Sequence, residues 1–384
     1  MEEITEESEF IKSFGNDLDA IKVGASKYHN YEQAVKLVLN SIYGAFGNPY
    51  FYFFNVDIAE TITLQGKDAI LYTEKLINRY FKDFWHKDTD AHEAIGIKVT
   101  GKIEKPVGIY IDTDSIYVKF DEIIKKSDWE GSEKDFILKI YKVRLADYIE
   151  KILQKYADDN NAENFLSFEL ESIAKNAIWL AKKKYMQNIV WKDPDIHYDE
   201  LTKISAKGFE IIQSSTPVFA REKLKDLLTY IFSVDQLDMK EFANLLKDIK
   251  RQFRLANTDQ ISFSKKVNNY QKYIVNDYDS FEIGSKCPIG VRSAGYHNYL
   301  LNNSGLKGKY QPLGNGEKLK MYFSVDKSCD VFAYAPGDYP YEFAPEVDYD
   351  RQFEKTILDP INRVVTAMGF KAFNRNLIYT TSLF

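Results

Sequence analysis

The chain has 384 residues, of which 45% are hydrophobic and 28% are charged, and this composition excludes a disordered protein and predicts two or three globular domains. Its net charge of −6 excludes a uniformly basic nucleic-acid-binding surface, so a polyanion must be bound by local basic clusters. The cysteines, Cys287 and Cys329, are too few for a disulfide framework or a cysteine-rich zinc site and fit a reducing cytoplasm.

The N-terminal part of the chain is predicted to be mainly helical. Its first ten residues are acidic and lack an apolar core, so we expect no signal peptide. NYEQAVKLVLNSIYGAF predicts a helix with Asn30 as its N-cap, NPYFYFFNV a strand, and DIAETITLQGKDAILYTEKLINRYF a second helix. The uncharged run from Leu37 to Val56 is long enough to span a bilayer, but its Asn, Gly and Pro residues indicate a buried helix end followed by the strand.

The remaining elements mix strands and helices. A hairpin is predicted at VGIYIDTDSIYVKF, then a charged helix from about Glu133 to Tyr156 and strands at NFLSFELESI and AIWLAKKKYMQNIVWKD. Beyond Pro217, VFAREKLKDLLTYIF and DMKEFANLLKDIKRQFRL predict amphipathic helices, and a final helix is expected near Tyr349 to Met368. The sequence therefore predicts an α+β fold with a domain boundary near residue 206.

Two carboxylates, Asp112 and Asp114, lie between the apolar runs of the predicted hairpin. Asp-Thr-Asp-Ser suits a tight turn, so one interpretation is an ordinary polar hairpin tip. The other is a metal site, because residues two apart project from the same face of an extended chain. Two carboxylates on one face repel each other unless a hard cation such as Mg²⁺ lies between them. These residues alone leave both interpretations open.

The helix before the hairpin is predicted to carry a polar face and an apolar face. The polar residues are spaced i, i+4, i+7 and i+8, and they are Lys36, Asn40, Tyr43 and Gly44. The apolar face, which can anchor the helix, consists of Val35, Leu39, Ile42 and Phe46. Lysine supplies a charge for phosphate, tyrosine a planar wall and glycine room for close approach, which suits a nucleotide. A solvated polar stripe is the alternative.

A third candidate lies in SFELESIAKNAIWLAKKKYMQNI. Glu169 and Glu171 alternate on one face of the predicted strand, where they could contribute acid to a metal site. The basic cluster consists of Lys182, Lys183, Lys184 and Tyr185. On a strand, Lys183 and Tyr185 share one face and the other two lysines share the opposite face, so the cluster can bind phosphates and reach a groove. A lysine run can equally be a solvated edge that discourages sheet stacking.

In this order the motifs resemble those of family B DNA polymerases: Lys36-x-x-x-Asn40-Ser41-x-Tyr43-Gly44, then Asp112-Thr113-Asp114-Ser115, then Lys182-Lys183-Lys184-Tyr185. KGFEIIQSSTP, KCPIGVR and VDYDRQFEKTILDPINRVVTAMGF resemble more specifically the replicative polymerases of T-even-type bacteriophages. The resemblance runs over nearly the whole chain from about Tyr31. It implies part of a right-hand polymerase fold, with the C-terminal part of the fingers in residues 1–48, the palm in 49–206 and the thumb in 207–384.

The resemblance implies template-directed DNA synthesis by two-metal nucleotidyl transfer, with two Mg²⁺ ions. Asp114 would bind the metals with Asp112 beside it, and Glu171, or less directly Glu169, would be a further acid. The residues that would meet the incoming deoxynucleoside triphosphate are Lys36, Asn40, Tyr43 and Gly44. The residues that would meet primer-template DNA are Thr113, Lys182, Lys183, Lys184, Tyr185, Ser214, Ser215 and Thr216. Among these, Thr113 and Lys183, with Tyr43, resemble the network that senses the minor groove of the newest base pairs.

The sequence departs from the family pattern in two ways. Ile111 stands where the family usually has a small residue, and no D-x-x-S-L-Y-P segment, first finger helix or 3′–5′ exonuclease is present. We therefore expect an N-terminal partner chain to supply the remaining metal-binding Asp and the exonuclease. The chain would then be the C-terminal subunit of a split phage polymerase that acts in the cytoplasm of the bacterial host.

Two other functions compete with this interpretation. One is a catalytically silent remnant that binds duplex DNA; the other is a two-metal nuclease, which leaves the triphosphate-facing helix unexplained. The tail, NRNLIYTTSLF, ends on Leu383 and Phe384. It is either a last strand of the thumb or, by resemblance, a peptide that binds a sliding clamp.

Overall fold

A computed structural model of the chain describes Lys12, residues 17–274 and residues 286–377, and these divide into two compact units. Unit 1 extends to Gly131 and also includes Leu138–Glu169, whereas unit 2 comprises Ser132–Ile137 and the residues from Leu170 onward. Helices and antiparallel sheets are both present, so the predicted α+β class is confirmed. The finer division into fingers, palm and thumb stays a prediction.

The helices within the described residues are α1 (Leu18–Phe46), α2 (Val56–Arg79), α3 (Thr89–Ile95), α4 (Asp121–Lys125), α5 (Glu133–Ile140), α6 (Ala146–Asp159), α7 (Val218–Ser233), α8 (Met239–Leu255), α9 (Thr258–Ile261), α10 (Tyr270–Tyr273), α11 (Ile289–Ser304), α12 (Tyr349–Phe353) and α13 (Asp359–Ala367). Short π-helical turns at Tyr80–Phe84, Tyr141–Leu145 and Glu354–Leu358 continue α2, join α5 to α6, and join α12 to α13. Single 3₁₀ turns cover Trp85–Lys87 and Glu210–Ile212.

The strands of the same residues are β1 (Gly108–Asp112), β2 (Ser115–Val118), β3 (Ser172–Ala181), β4 (Lys184–Lys192), β5 (Ile196–His197), β6 (Ile204–Lys207), β7 (Phe263–Lys266), β8 (Lys318–Phe323) and β9 (Val331–Tyr334). They form three antiparallel sheets: β1–β2 in unit 1, and in unit 2 a sheet in which β4 pairs with β3, β5 and β6, and a sheet ordered β7–β8–β9.

Helix α1 begins earlier than its periodicity predicts. Asp17, not Asn30, is the N-cap, and its Oδ1 accepts hydrogen bonds from the N–H groups of Asp19 and Ala20 at 3.0 and 3.1 Å. Asn30 lies within the helix, because no proline separates it from Asp17 and Gly24 is tolerated in the helix interior. The predicted N-cap was therefore wrong, although the predicted helix is present.

The segment NPYFYFFNV, predicted as a strand, forms turns between α1 and α2. Asn55 caps α2 by accepting from Ile58 N at 3.1 Å, and its own N–H donates to Phe46 O at 2.8 Å. These hydrogen bonds join the two helix ends and leave no ladder of backbone groups for a strand. The predicted burial of the α1 end was also wrong, because Val38 and Ile42 are exposed.

None of the helices in the described ranges combines the length and apolarity needed to cross a lipid bilayer.

The core of unit 1 forms where the second half of α2 meets α6. Ile70, Ile77 and Phe81 are buried on the α2 side, and Ile152 and Leu153 on the α6 side. The hydroxyl of Tyr156 also donates to the Asp68 carboxylate at 3.0 Å. The helical predictions for DIAETITLQGKDAILYTEKLINRYF and for Glu133 to Tyr156 are therefore confirmed.

The core of unit 2 is larger and gathers α7, α8, α12 and α13 around the β8–β9 strands. Fully buried side chains include Leu228, Phe242, Phe332 and Phe353. The amphipathic helices predicted beyond Pro217 and the final helix near Tyr349 to Met368 are present, so these predictions are confirmed.

Candidate functional site

The acid pair lies at the end of the β1–β2 hairpin. Asp112 pairs with Ser115 across the ladder, so Thr113 and Asp114 form the connecting turn. The N–H of Asp114 donates to Asp112 O at 2.7 Å and closes this turn. The predicted hairpin is confirmed, but Asp114 belongs to the turn and not to a strand, so the expected same-face geometry of extended chain does not apply.

The two acids differ in exposure. Asp112 is only 2% exposed, whereas Asp114 is exposed. The hydroxyl of Thr113 donates to the Asp112 carboxylate at 3.3 Å, and that of Ser115 donates to the Asp114 carboxylate at 3.3 Å. The hairpin therefore holds one acid within the fold and presents the other to solvent.

Thr113 adopts a backbone conformation that β-branched residues avoid. Its φ of 62° lies in the left-handed region, which costs on the order of 1–3 kcal/mol for such a residue. Strain of this kind persists where the surrounding structure determines the turn, and it is concentrated at functional sites. The turn thus combines two features that suit a functional tip: a strained linker and flanking carboxylates.

The acid pair fits a magnesium ion by the chemistry of its donor atoms. Mg²⁺ prefers oxygen ligands and is commonly held by one or two carboxylates, with water and substrate phosphates completing its shell. Within residues 17–274 and 286–377, no group of three or more His, Cys, Asp or Glu side chains is placed to hold a metal. Asp112 and Asp114 are two neighbouring acids, so water, substrate phosphates or further acids would have to complete the shell of an ion at this turn.

Helix α1 presents the predicted nucleotide-binding residues on its surface. Lys36, Asn40, Tyr43 and Gly44 all lie within the continuous helix and are exposed, which confirms that they share one helix face. The apolar face is also uncovered, with Val35, Leu39 and Ile42 exposed by 59%, 62% and 46%. In unit 1, α1 leads through the Asn48–Asn55 turns into α2, which contacts β1 and β2.

The lysine cluster forms the turn between β3 and β4. Ala181 pairs with Lys184, so Lys182 and Lys183 are turn residues, and Lys183 has a φ of 60°. The strand alternation expected for Lys182 to Tyr185 was therefore wrong, because β3 ends at Ala181 and β4 begins at Lys184, with Lys182 and Lys183 in the turn between them. All three lysines are nevertheless exposed together at one end of the hairpin.

Tyr185 lies beneath the lysine turn and is only 5% exposed. It pairs with Lys207 of β6, whose Nζ lies 5.9 Å from the centre of the Tyr185 ring. The buried ring supports the strand that carries the turn, and Lys207 adds a fourth positive charge beside it. Sequence reasoning missed Lys207, although it directly precedes Gly208 in the KGFEIIQSSTP segment.

Gly208 fits tightly against the lysine turn. Its φ is +66°, and a Cβ atom built on it would lie 2.2 Å from Lys183 O and 3.0 Å from Lys184 Cγ. A side chain at this position would displace the turn backbone. Gly208 therefore allows the end of β6 to pack directly against the turn.

The predicted acids Glu169 and Glu171 precede β3, which begins at Ser172. Their placement on a strand face was therefore wrong, and both side chains are exposed. Glu171 O accepts a hydrogen bond from Asp193 N at 3.0 Å. Glu171 belongs to unit 2, whereas Asp112 and Asp114 belong to unit 1.

The predicted backbone-contacting segment from Ser214 to Thr216 forms the turn before α7. Ser214 is exposed and Thr216 is buried, and Thr216 N donates to Gln213 O at 3.1 Å. Ser215 O accepts from Ser264 N of β7 at 3.0 Å, which ties this turn to the β7–β9 sheet. The predicted clamp-binding residues, Leu383 and Phe384, lie outside the described residues.

Sequence reasoning also missed Asn78. From α2, its side-chain Oδ1 accepts hydrogen bonds from the N–H groups of Val107 and Gly108, at 2.8 and 2.9 Å, at the start of β1. A single asparagine inside a helical segment carries no sequence signal for such a contact.

This chain belongs to DNA polymerase family B, whose family model matches residues 19–287. The match covers nearly all of α1, the acid-bearing hairpin, the lysine turn, α7, α8 and β7, and it ends just before α11. The expected family resemblance is thereby confirmed.

Phage enzymes are among the curated relatives. The DNA-directed DNA polymerase of Escherichia phage RB69 is 26% identical over 356 residues, which is 86% of this chain and 36% of that protein. The DNA-directed DNA polymerase of Enterobacteria phage T4 is 24% identical over 87% of this chain and 36% of its own length. The mouse DNA polymerase alpha catalytic subunit is 24% identical over 49% of this chain. The chain thus spans about a third of the length of the phage relatives it matches.

Proposed function

We propose that this chain is the C-terminal part of a DNA-directed DNA polymerase that extends a primer in phage DNA replication. The observation that carries the proposal is the β1–β2 turn, which places a buried and an exposed carboxylate together in the same unit as the exposed polar face of α1. A family B polymerase needs such acids for phosphoryl transfer and a basic face for the triphosphate.

Asp114 and Asp112 would hold the two Mg²⁺ ions, which supply activation of the primer 3′-hydroxyl and stabilisation of charge on the triphosphate. Because Asp114 is exposed at the turn, its carboxylate is accessible to a hydrated ion and a nucleotide. Asp112, held within the fold, fixes the geometry of the turn and adds negative charge beside it. Glu171 is the candidate for a further acid because its position in the sequence resembles that of an acid near the metals in family B polymerases.

The exposed face of α1 would bind the deoxynucleoside triphosphate. Lys36 offers a mobile ammonium to the phosphates, and Asn40, one helical turn further on, offers an amide. Tyr43 and Gly44 then provide a planar ring and open space for the base and sugar. This order along one helix face gives each part of a nucleotide a matching group.

The end of the β3–β4 hairpin would bind the primer-template duplex. Lys182, Lys183, Lys184 and Lys207 place four positive charges on a chain whose net charge is negative, so phosphate contacts would be local. Thr113 at the acid turn and Ser214 to Thr216 before α7 are the other proposed contacts. Tyr185 would act by supporting the turn from below.

We propose that an N-terminal partner chain supplies a further metal-binding Asp and the exonuclease. The uncovered apolar face of α1 supports this proposal. We also propose action in the bacterial host cytoplasm and attachment to a sliding clamp through Leu383 and Phe384. The clamp proposal rests on the sequence alone.

Primer extension by the chain mixed with the N-terminal part of a related phage polymerase tests this function. Asp114→Asn should lower Mg²⁺-dependent extension by ~10³-fold, because a lost metal ligand removes several kcal/mol of transition-state stabilisation. The control is Asp121→Asn, an exposed acid of α4 paired with Lys119, which removes the same charge from the same unit and should leave extension intact.

A catalytically silent DNA-binding remnant is the second candidate, and the exposed lysine turn favours it as much as it favours a polymerase. This function predicts duplex binding that Lys183→Ala weakens, with no extension when the partner is supplied. Robust extension by this chain alone would instead refute the need for a partner.

A further inference from the structure

Asn78 of α2 holds the base of the hairpin that carries the acid pair. Its Oδ1 accepts from Val107 N at 2.8 Å and from Gly108 N at 2.9 Å, and its Nδ2 donates to the Glu74 carboxylate one helical turn earlier. On the other side of the same strand end, Lys119 N donates to Val107 O at 2.8 Å. The start of β1 is therefore fixed both by its partner strand and by a helix side chain.

The backbone at this point is shaped for the contact. Successive N–H groups of a regular strand point in opposite directions, so one oxygen can accept from both only where the strand is distorted. The β1–β2 register shifts between Gly108 and Tyr110, which is a bulge at that place. Bulges bend the strand that carries them, and Asp112 lies at the other end of this strand.

Gly108 leaves room for the side chains of α2 at the start of β1. A Cβ atom at this position would lie 2.8 Å from Glu74 Oε1, 3.0 Å from Glu74 Cγ and 3.3 Å from Asn78 Nδ2. The helix and the strand end thus meet through a glycine, an amide and a carboxylate that fit one another.

We propose that Asn78 is a positioning residue for the metal-binding turn: by holding the base of β1 on α2, it sets the position of Asp112 and Asp114. This inference rests on the proposed polymerase function. Because α2 follows α1 in the same unit, the contact also ties the acid turn to the helical segment that bears the proposed nucleotide face. Groups that orient metal ligands commonly change metal affinity by 10–100-fold when they are removed.

The first test uses this chain alone and does not depend on catalysis. In Asn78→Ala, amide hydrogen exchange of the hairpin residues 107–118 should become about tenfold faster, because two backbone N–H groups lose their hydrogen-bond acceptor. Alanine is the best helix former, so α2 itself should keep its protection. The control is Asn160→Ala, which removes the amide hydrogen bond to Tyr156 O at the end of α6. Unchanged exchange in the hairpin of Asn78→Ala would overturn the inference, whatever the enzyme does.

The second test separates positioning from a general loss of stability. In the assembled polymerase, Asn78→Ala should raise the Mg²⁺ concentration for half-maximal extension about tenfold. The double variant Glu74→Gln/Asn78→Asp exchanges donor and acceptor. The amide introduced at position 74 would donate to the carboxylate introduced at position 78, and that carboxylate would still accept from the two N–H groups. The double variant should therefore restore the wild-type Mg²⁺ midpoint.

Loss of active enzyme with an unshifted Mg²⁺ midpoint would show a purely structural role and refute positioning. If the wild-type assembly fails to extend a primer, the proposed function fails, while the exchange experiment still decides whether Asn78 controls the hairpin.

Discussion

His297 of α11 is a buried titratable group that lies against the rings of Phe332 and Phe343. Its Nδ1 donates to Ala333 O at 2.9 Å, so this nitrogen carries the proton of the neutral ring. Desolvation lowers the pKa of His297 to about 4, against the opposing effect of its backbone hydrogen bonds. In the unfolded chain its pKa returns to the ordinary value near 6.5.

The free energy of unfolding should therefore fall as the pH is lowered, because of this residue. The contribution of neutral His297 to the free energy of unfolding is fully present above pH 6.5 and is lost as the pH falls toward 4. Over this range the unfolded state binds a proton that the native state excludes. Denaturant titrations should show a loss of about 3 kcal/mol over this range in the wild type that is absent in His297→Asn. The control is His29→Asn, on the exposed surface of α1, which should follow the wild type. Parallel pH profiles for wild type and His297→Asn would contradict the prediction.

At the scale of single elements, local periodicity predicts α2, α7 and α8 because their apolar stripes recur every three to four residues and become the buried faces. Strands are harder to predict, because a strand exists only where a partner completes its hydrogen bonds. The aromatic segment Tyr50–Phe54 has strand composition but forms turns, and Glu169 and Glu171 fall before β3 begins. In the same way, Lys182 and Lys183 form a turn because the β3–β4 pairing ends at Ala181 and Lys184.

In the candidate site, too, features formed by local sequence could be predicted, whereas features that depend on distant partners could not. The spacing of residues in the sequence predicts the acid hairpin and the polar face of α1, because both features are formed by residues that are close together in the sequence. Asn78, Lys207 and Gly208 act on residues that are distant in sequence or brought together by sheet register, so no local pattern indicates them. Thr113 and Lys183 also share a positive φ that their residue types do not suggest.

The packing of β6 against the lysine turn can be tested with Gly208→Ala. The added Cβ would meet Lys183 O, so the turn must move and its lysines with it. We expect about tenfold weaker binding of duplex DNA and a shallower salt dependence, because at least one phosphate contact is lost. Fluorescence anisotropy of a labelled duplex at several salt concentrations measures both quantities.

The control for this variant is Gly305→Ala at the end of α11. Gly305 has a similar φ of +73° but no heavy atom within 4 Å of a built Cβ, so it reports the backbone strain without the collision. Both variants should lose stability, since alanine is disfavoured at positive φ. Equal DNA affinity in the two variants would show that the position of the turn does not matter for binding.

At the scale of the whole molecule, the N-terminal part of unit 1 exposes many large apolar side chains. The exposed residues on α1, the following turns and the start of α2 include Val35, Leu37, Val38, Leu39, Ile42, Tyr50, Tyr52, Phe53, Ile58 and Leu64. Contiguous apolar surface of this kind marks an interface, and aromatic residues are enriched at the centres of interfaces. We propose that the N-terminal polymerase chain described under the proposed function covers this surface.

The triple variant Val35→Ser/Leu39→Ser/Ile42→Ser tests whether this face is the interface. The three side chains are exposed, so the stability of the chain alone should change little. Binding to the N-terminal chain should weaken by ~10²-fold or more. Each of the three side chains would contribute about 1 kcal/mol to the binding free energy by burying its apolar surface in the complex. Isothermal titration calorimetry measures the affinity, and a hydrophobic dye should bind the isolated wild-type chain and be released by the partner. The matched control is Leu255→Ser at the end of α8, which removes a side chain that is 88% exposed in unit 2 and should leave the affinity intact. If the triple variant binds the partner as tightly as the wild type, the apolar face of α1 is not the contact surface and the N-terminal chain must dock elsewhere.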